Sequence, residues 1–282
     1  MQLLRPSSVD EATAALGNGA KPLWGGTDLV PLLRERLATA DTLVHVADVV
    51  PRGIDGTRIG AGTTLAELEV DPQIPEALRE ACRQAASPQL RSMGSVGGNL
   101  RQATRCWYWR LDFPCYLHGG DRCHAKQGAH REHAIFGNDR CASAHPSDVA
   151  AALLALGATV RTTRREFPIG DLYRLPTDED RDVVALAADE LILELDVPHP
   201  DASTYLKAMD RRKWAFPLVG VAAARFGERI RLGLAGVAPI PWLIESAAAL
   251  EDATPLPGTA YKVELARALV RRALAATGAA AR

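Results

Sequence analysis

The sequence predicts an α+β fold built from a first unit over residues 1–175 and a smaller unit over residues 181–282. Helical periodicity and short alternating strands follow one another through the first unit. An acidic, proline-bearing stretch at 175–180 marks the expected boundary. Beyond it, alternating strands precede two helices, a pattern typical of an antiparallel sheet with helices packed on one face.

The composition is that of an ordinary globular protein, with 282 residues of which 47% are hydrophobic and 24% charged. The net charge is −1 and Lys and Arg are scattered, so we expect neither nucleic acid nor an anionic membrane as partner. The N-terminal residues lack the pattern of a signal peptide, and no apolar run is long enough to cross a bilayer. We therefore expect a cytoplasmic protein.

A glycine turn follows the first predicted strand. Residues 9–17 favour a short helix and residues 21–24 a buried strand, which leads into Gly25-Gly26-Thr27-Asp28. Pro31 suits the first turn of the helix that comes next. Free backbone N–H groups between a strand and a helix can bind a pyrophosphate. A Gly-Gly turn alone is more often a plain structural turn, so both interpretations remain open.

Strand and helix signals then alternate as far as Pro88. Residues 42–47 and 58–62 favour strands, and Thr64 has the spacing of a capping box. The apolar stripe that starts at Ile74 includes Cys82, which we expect in the core as a small hydrophobic residue.

A second glycine loop runs from Gly94 to Asn99. Its three glycines remove the side chains that would hold a flat or phosphorylated ligand at a distance, and Asn99 offers both a donor and an acceptor. Their order fits neither a Rossmann fingerprint nor a Walker loop. Two separate glycine loops are what a long dinucleotide would require.

Four of the five cysteines lie in one loop-like segment, at Cys106, Cys115, Cys123 and Cys141. Structural zinc sites usually pair ligands two to four residues apart, so this wide spacing suits a four-iron four-sulfur cluster better than zinc. Zinc, and two disulfides without a metal, remain alternatives. The segment also holds histidines that could join a mixed site, although each is more simply a solvated or hydrogen-bonded loop residue, namely His118, His124, His130 and His133.

A helix over residues 149–156 begins after the capping pair Ser147-Asp148 and ends at Gly157, and residues 158–163 favour a strand. The carboxylate of Asp148 is favourable at a helix N-terminus and needs no ligand to explain it.

The second unit contains one more strand at 190–197, a hairpin at 217–226 and 229–237, and helices at about 242–251 and 261–276. A basic and aromatic cluster precedes the hairpin, formed by Lys207, Arg211, Arg212, Lys213 and Trp214. This cluster is either a solvated loop or the place where Lys207 and Trp214 face a cofactor bound in the first unit.

The motifs together resemble the FAD-binding medium subunit of the xanthine dehydrogenase family of molybdenum hydroxylases. The resemblance spans nearly the whole chain in order and rests on residues 24–29, 94–100, 105–108, 133–137, 145–148 and 237–242. Within that family the chain is similar to the variant with an inserted four-cysteine loop, known from bacterial aldehyde oxidoreductases and 4-hydroxybenzoyl-CoA reductase. It departs from the family at Trp24, where small residues are more usual.

The resemblance implies a two-subdomain FAD-binding domain of the vanillyl-alcohol-oxidase type, with subdomains at about 1–54 and 55–175, an iron–sulfur loop at 104–145 and a C-terminal flavoprotein domain at 181–282. It implies FAD contacts at Lys21, Pro22, Leu23, Trp24, Gly25, Gly26, Thr27, Asp28, Leu29, Ser95, Gly97, Gly98, Asn99, Asp148, Lys207 and Trp214. It also implies that Cys106, Cys115, Cys123 and Cys141 hold a four-iron four-sulfur cluster.

The implied function is an electron relay without catalytic side chains of its own, since the flavin carries the chemistry. Its implied partners are a large subunit with the molybdenum cofactor and a small subunit with two two-iron two-sulfur clusters, with an acceptor that the sequence does not identify. Two alternatives are a stand-alone flavoprotein oxidoreductase of the same fold and a structural zinc-binding interaction module.

Overall fold

The computed structural model describes residues 1–279, whose strands form three sheets flanked by helices. The helices are α1 (Val9–Ala15), α2 (Leu29–Arg34), α3 (Leu65–Leu68), α4 (Glu76–Gln84), α5 (Pro88–Met93), α6 (Val96–Leu100), α7 (Trp107–Arg110), α8 (Asp148–Leu156) and α9 (Tyr261–Ala276). The strands are β1 (Gln2–Leu4), β2 (Ala20–Leu23), β3 (Thr42–His45), β4 (Ile54–Asp55), β5 (Arg58–Gly60), β6 (Thr159–Thr162), β7 (Glu166–Pro168), β8 (Ile192–Asp196), β9 (Ala202–Ala208), β10 (Val219–Phe226), β11 (Arg229–Ala235) and β12 (Trp242–Ile244). The predicted α+β class is confirmed.

The N-terminal sheet is parallel, with β3 between β1 and β2. Thr42 of β3 lies beside Gln2 of β1 and beside Ala20 of β2. Helix α1 makes the crossover after β1; Ser8 caps it by accepting a hydrogen bond from the N–H of Glu11. The carboxyl end of β2 leads straight into the first glycine turn, as the sequence predicts.

The second sheet is antiparallel, in the order β4-β5-β8-β6-β7. Leu195 of β8 pairs with Ile59 of β5 on one side and with Val160 of β6 on the other. The sequence analysis placed this strand in the second unit, after the expected boundary at 175–181, and that placement is wrong. The strand sits there because its buried side chains belong to the core of the first unit, so the chain returns to this sheet before it enters the third.

Helix α8 lies between the two larger sheets and is buried along its whole length. Ser147 caps it by accepting a hydrogen bond from the N–H of Ala150, and Gly157 ends it in the left-handed region at φ 71°. A helix that is apolar on every side is buried, with neighbouring elements packed all round it. Its predicted start and end are confirmed.

The third sheet is an antiparallel meander in the order β12-β11-β10-β9. Along β10, Val219, Val221 and Ala223 pack in a core with α9, whereas Ala222 and Ala224 pack in the core that contains α8. Helix α9 therefore covers one face of this sheet, as the sequence predicts. The opposite face, which the sequence analysis left without helices, packs on α8 and α4 of the first unit.

Three local predictions need correction. The glycine loop at 94–99 is short, because Ser95 caps a helix that begins at Val96. A further helix, α5, begins at Pro88, which lies in its first turn. Residues 242–251 are not one helix: β12 pairs with β11, and a 3₁₀ helix follows at Ala247–Asp252. The apolar residues that suggested one helix belong instead to this edge strand and to the 3₁₀ helix after it.

Among the described residues, no helix combines the length and the apolar character needed to cross a membrane.

Helix α8 crosses β11 so closely that a side chain on Gly233 would overlap the carbonyl oxygen of Ala151. We expect Gly233→Ala to lower the free energy of unfolding by about 1–3 kcal/mol, because a packed interior accommodates an added methyl group only by shifting backbone. Urea denaturation followed by circular dichroism measures this.

Gly170→Ala is the matched control. Its new methyl group would lie 3.6 Å from a methyl carbon of Leu154 on the same helix, an ordinary contact. Equal unfolding midpoints for the two variants would contradict the proposed close approach.

Candidate functional site

The turn at Gly25-Gly26-Thr27-Asp28 leaves part of its backbone free. Gly26 has φ 69°, a conformation that glycine adopts without strain. Among the described residues, no backbone carbonyl accepts a hydrogen bond from the N–H of Gly26, Thr27 or Asp28. Lys21, Pro22 and Leu23 form the half-buried strand before the turn, and Leu29 begins α2 after it. Adjacent free N–H groups of this kind suit an anionic group.

The two glycine loops touch each other. A side chain on Gly25 would overlap the carbonyl oxygen of Met93, and a side chain on Gly94 would lie 3.7 Å from Oγ1 of Thr27. An isolated β-bridge between Thr64 and Ser95 holds the second loop in place. The structure thus brings together the two stretches that the sequence separates by about seventy residues.

The second loop has little free backbone to offer. Val96 N–H donates to the carbonyl of Thr63 (2.8 Å), Gly97 N–H to the carbonyl of Ala61 (2.9 Å) and Gly98 N–H to Oγ of Ser95 (3.2 Å). Gly97 is buried, and a side chain there would press on Ala61, whereas Gly98 is exposed and a side chain would approach only Ser95. Gly97 therefore serves packing, and Gly98 is the glycine with an open surface.

Two side chains of the first loop have distinct roles. The carboxylate of Asp28 accepts from the N–H of Ala103 (2.8 Å) and pairs with Arg105 (2.8 Å) and Arg110 (3.3 Å). It ties the glycine turn to the segment that carries the cysteines. The indole N–H of Trp24, by contrast, is buried and has no hydrogen-bond partner within residues 1–279. The indole nitrogen lies close to Gly62, where an added Cβ would be 3.1 Å from it, so this unpaired donor faces the interior of the protein.

A buried polar network lies at the start of α8. Lys207 Nζ donates to Asp148 Oδ2 (2.8 Å) and to the carbonyl of Gln84 (2.9 Å), and the Tyr205 hydroxyl donates to Asp148 Oδ1. The side chains of Lys207 and Asp148 are 0% and 3% exposed. Burial raises the pKa of Asp148, and the ammonium of Lys207 opposes that rise. Burial and the Asp148 carboxylate raise the pKa of Tyr205 well above its usual value.

Asn99 connects the second glycine loop to this network. Its Oδ1 accepts a hydrogen bond from Oγ of Ser147 at 2.6 Å, and the same Oγ caps α8. The side-chain amide of Asn99, predicted to offer a ligand both a donor and an acceptor, is therefore held at the N-terminus of α8, one residue from Asp148.

A cleft of about 290 Å³ opens beside these residues. Its walls include Arg105, Cys106, His133, His145, Arg211 and Phe216. The Arg105 guanidinium lies 4.8 Å from the ring centre of Phe216 and so joins the two sides of the cleft. His145 is buried, its Nε2 has no partner among the described residues, and burial lowers its pKa to about 3. The cleft is close to the lower size limit of about 300 Å³ for small-molecule sites.

Trp214 does not line this cleft. It is 56% exposed and has φ 58°, in a loop where its carbonyl accepts from Arg211. Phe216, two residues later, supplies the aromatic wall instead. Phe216 was not among the predicted site residues, and Arg105 had no predicted role. The only available signal was that Arg105 directly precedes the first clustered cysteine.

The four clustered cysteines are free thiols, and backbone N–H groups point at their sulfurs. Ala142 N–H lies 3.4 Å from Cys123 Sγ, and Ser143 N–H lies 3.5 Å from Cys141 Sγ. A hydrogen bond with Cys141 lowers the pKa of Cys123 to about 5 and raises that of Cys141. Burial raises the pKa of Cys106 to about 11 and also raises that of Cys115. Such a surrounding stabilises at least one thiolate.

The sulfurs are near enough to influence one another, since the neighbouring thiols Cys123 and Cys115 both act on Cys106. Within residues 1–279, however, no three Cys, His, Asp or Glu side chains converge on a single metal-ion position. One tetrahedral zinc ion would need its sulfurs about 2.3 Å from a common point. Cys82 lies apart in the core of α4, as expected.

His133 forms the link between the cysteine segment and the C-terminal sheet. Its Nε2 lies 3.2 Å from Cys106 Sγ, and burial lowers its pKa to about 4. Lys262 of α9, also buried, donates to the carbonyls of Glu132 (2.8 Å), His133 (3.0 Å) and Gly236 (2.7 Å). The other histidines of the segment bond backbone groups, at His118, His124 and His130.

Comparison with known proteins identifies the family. A family model described as the FAD-binding domain in molybdopterin dehydrogenase matches residues 1–200. The chain is 36% identical over 251 residues to the aldehyde oxidoreductase FAD-binding subunit PaoB of Escherichia coli strain K12, a match that covers 81% of this chain and 78% of that protein. It is 40% identical over 106 residues to the carbon monoxide dehydrogenase medium chain of Afipia carboxidovorans, covering 34% and 37%.

Solved structures show the same fold. A chain of carbon monoxide dehydrogenase from Hydrogenophaga pseudoflava aligns with a TM-score of 0.71 at 23% identity, over 99% of this chain and 97% of that one. A chain of quinoline 2-oxidoreductase from Pseudomonas putida 86 aligns with a TM-score of 0.66 at 20% identity, again over 99% and 97%.

The buried pair of Lys207 and Asp148 gives a stability test. We expect Lys207→Met to lower the free energy of unfolding by about 3–5 kcal/mol, because it leaves the Asp148 carboxylate buried without its ion partner. Chemical denaturation measures the loss.

The double variant Lys207→Met with Asp148→Asn removes both charges and should be more stable than the single variant. A double variant that loses at least as much as the single one would mean that charge pairing is not what holds this site.

Proposed function

The chain belongs to the family of FAD-binding domains of molybdopterin dehydrogenases, and we propose that it carries electrons through FAD as the medium subunit of a multi-subunit molybdenum hydroxylase. The observation that supports this most directly is the side-chain-free seam between the glycine loops. Gly25 lies against the backbone of Met93 and Gly94 faces Thr27, and the backbone N–H groups of residues 26, 27 and 28 have no partner among the described residues. A dinucleotide would supply the missing acceptors.

In this proposal the pyrophosphate lies on residues 21–29, against the free N–H groups of the first turn. Ser95, Gly98 and Asn99 form the opposing wall, and Gly97 allows α6 to pack on Ala61. The flavin end would reach the neighbouring cleft, and the buried side chains of Asp148 and Lys207 would support its floor without being exposed to it. There the buried ion pair fixes the N-terminus of α8, and Ser147 holds Asn99 in place. Trp214 contributes only if its loop moves, whereas Phe216 already faces the cleft.

FAD supplies two-electron and one-electron redox chemistry when it is bound, so the chain needs no acid–base pair. The chain's own residues bind and orient the cofactor and exclude water around it. Arg105 and Phe216 close the cleft from opposite sides, and the buried imidazole of His145 lies in its wall. Without partner subunits, the chain would oxidise no organic substrate.

We further propose that Cys106, Cys115, Cys123 and Cys141 ligate a four-iron four-sulfur cluster. Their chemistry suits it: four thiols on irregular loops, with backbone N–H groups aimed at the sulfurs. Hydrogen bonds to sulfur are among the features that stabilise and tune such clusters. A cluster's bulk requires ligands from different directions, and the four cysteines come from separate stretches of the segment.

The partners in this proposal are a large subunit that holds the molybdenum cofactor and a small subunit with two two-iron two-sulfur clusters, in a cytoplasmic heterotrimer. The relatives support a multi-subunit setting, because one is named as an FAD-binding subunit and another as a medium chain. The substrate-specific pocket would lie on the large subunit.

The open glycine of the second loop tests the flavin site. We expect Gly98→Val to weaken FAD binding about tenfold or more, because its side chain would stand on the exposed side of α6 where the dinucleotide passes. Flavin absorbance after FAD titration measures the affinity.

Ser92→Val adds the same side chain at an exposed position of the preceding helix, α5, and should leave FAD affinity unchanged. Full flavin occupancy in Gly98→Val at wild-type affinity would count against the loop assignment.

The cysteines test the metal site. We expect about four irons and four acid-labile sulfides per anaerobically purified chain, and a loss of most iron on replacing Cys106, Cys115, Cys123 or Cys141 by Ala, since each thiolate is one ligand. Elemental analysis and absorption spectra measure this.

Cys82→Ala, in the core of α4, serves as the control and should keep its iron. Zinc in place of iron, without visible absorbance, would favour the structural zinc module instead.

A further inference from the structure

We propose that His133 donates a hydrogen bond from Nε2 to the sulfur of Cys106 and thereby raises the reduction potential of the iron–sulfur cluster. The proposal deepens the function proposed above and rests on the cluster assigned there. His133 would be a positioning and tuning residue that acts through Cys106, and it would not ligate metal itself.

Ligation of iron by Cys106 would fix the position of the proton. Nε2 lies 3.2 Å from Cys106 Sγ, within hydrogen-bond range for sulfur. A sulfur that ligates iron is a thiolate and has no proton to give, so the nitrogen must be the donor. A neutral imidazole carries one N–H, which leaves Nδ1 as an acceptor. Nδ1 is buried and has no hydrogen bond among the described residues, although the carbonyl of His130 also acts on the ring, so the ligating sulfur is what would set the tautomer.

The ring is held in this orientation from several sides. His133 is 2% exposed, and the ring of Trp107 meets it edge to face at 4.7 Å between centres. Its backbone is fixed by the ammonium of Lys262, which donates to the carbonyls of residues 132, 133 and 236. A donor held this firmly loses little conformational freedom when it bonds the sulfur.

The direction of the effect follows from charge. Reduction adds one electron to a cluster that its thiolates already make negative. A fixed N–H dipole pointing at a sulfur favours the more negative state, and it does so more strongly in a buried, low-dielectric site. Removing this donor should therefore make the cluster harder to reduce.

Cys106 differs from the other three clustered cysteines in its position. It is the one that lines the cleft in the described structure, together with His133 and Arg105. The proposed flavin end lies beside that cleft, so the tuned ligand is the one that faces the electron-transfer partner.

The experiment compares three variants of the full chain, purified anaerobically. His133→Phe keeps an aromatic ring and removes the donor, His133→Gln offers an amide N–H, and His130→Gln makes the same exchange three residues away at a histidine that bonds the backbone groups of Ala125, Gly128 and Gly258. Redox titration followed by electron paramagnetic resonance measures the midpoint potential of the cluster.

We expect a more negative potential for His133→Phe, an intermediate value for His133→Gln and the wild-type value for His130→Gln, with equal iron content in all four proteins. A potential for iron-loaded His133→Phe equal to that of the wild type would overturn the proposal. A purified wild-type chain without iron would instead overturn the cluster assignment on which it rests.

A second measurement uses the wild-type chain and does not depend on any variant folding. After labelling with ¹⁵N-histidine, pulsed paramagnetic resonance of the reduced cluster should show coupling to one histidine nitrogen across the sulfur. The absence of such coupling in an iron-loaded sample would refute the hydrogen bond directly.

Discussion

The ion pair between Lys207 and Asp148 is the constraint on which the rest of the site depends. It joins three separate parts of the chain, because Lys207 is on β9, Asp148 begins α8, and the carbonyl of Gln84 at the end of α4 accepts from the same ammonium. Taking two charges out of water is expensive, and only close pairing with additional hydrogen bonds offsets the cost. Tyr205 supplies one such bond. The N-terminus of α8, and with it Ser147 and Asn99, is thereby fixed relative to both larger sheets.

Around this anchor, close approach between backbones decides where the elements can lie. Gly25 meets the carbonyl of Met93 and Gly233 meets that of Ala151 too closely for any larger residue, and Gly97 lies tightly against Ala61. Two of these junctions bring the glycine loops together and set α6 beneath them. The loops differ in kind, because the first has free N–H groups and the second has used its own on neighbouring backbone. The first loop is therefore suited to bind an anionic group, whereas the second offers a surface without side chains.

Much of the fold could be predicted from local signals. Helix α8 has a capping serine and a terminal glycine, and the β10–β11 hairpin has its Gly227 turn, so their positions follow from neighbouring residues. The strand β8 and the strand β12 were misassigned because their partners are set by sheets built from distant residues. The burial of Lys207 could not be predicted from its sequence neighbours either, because a lysine in a basic stretch is usually solvated. Residue types and spacing identified the cysteines and glycines, but the cleft walls required Arg105 and Phe216 to meet across more than one hundred residues.

The cysteine segment contributes no strand in the described structure, and it is tied to the protein both internally, by Lys262, and at its two ends. Asp28 receives the N–H of Ala103 at its start, and His145 donates its N–H to Ala238 at its end, while the neighbouring strands β5 and β6 lie entirely outside it. The entropy of closing a loop rises only slowly with its length, by about 0.6 kcal/mol for each doubling. The segment therefore costs little in loop entropy, yet it cannot be separated from the fold, because Ile135 and Phe136 pack in the core of the third sheet. Deleting it would open that core as well as remove the cysteines.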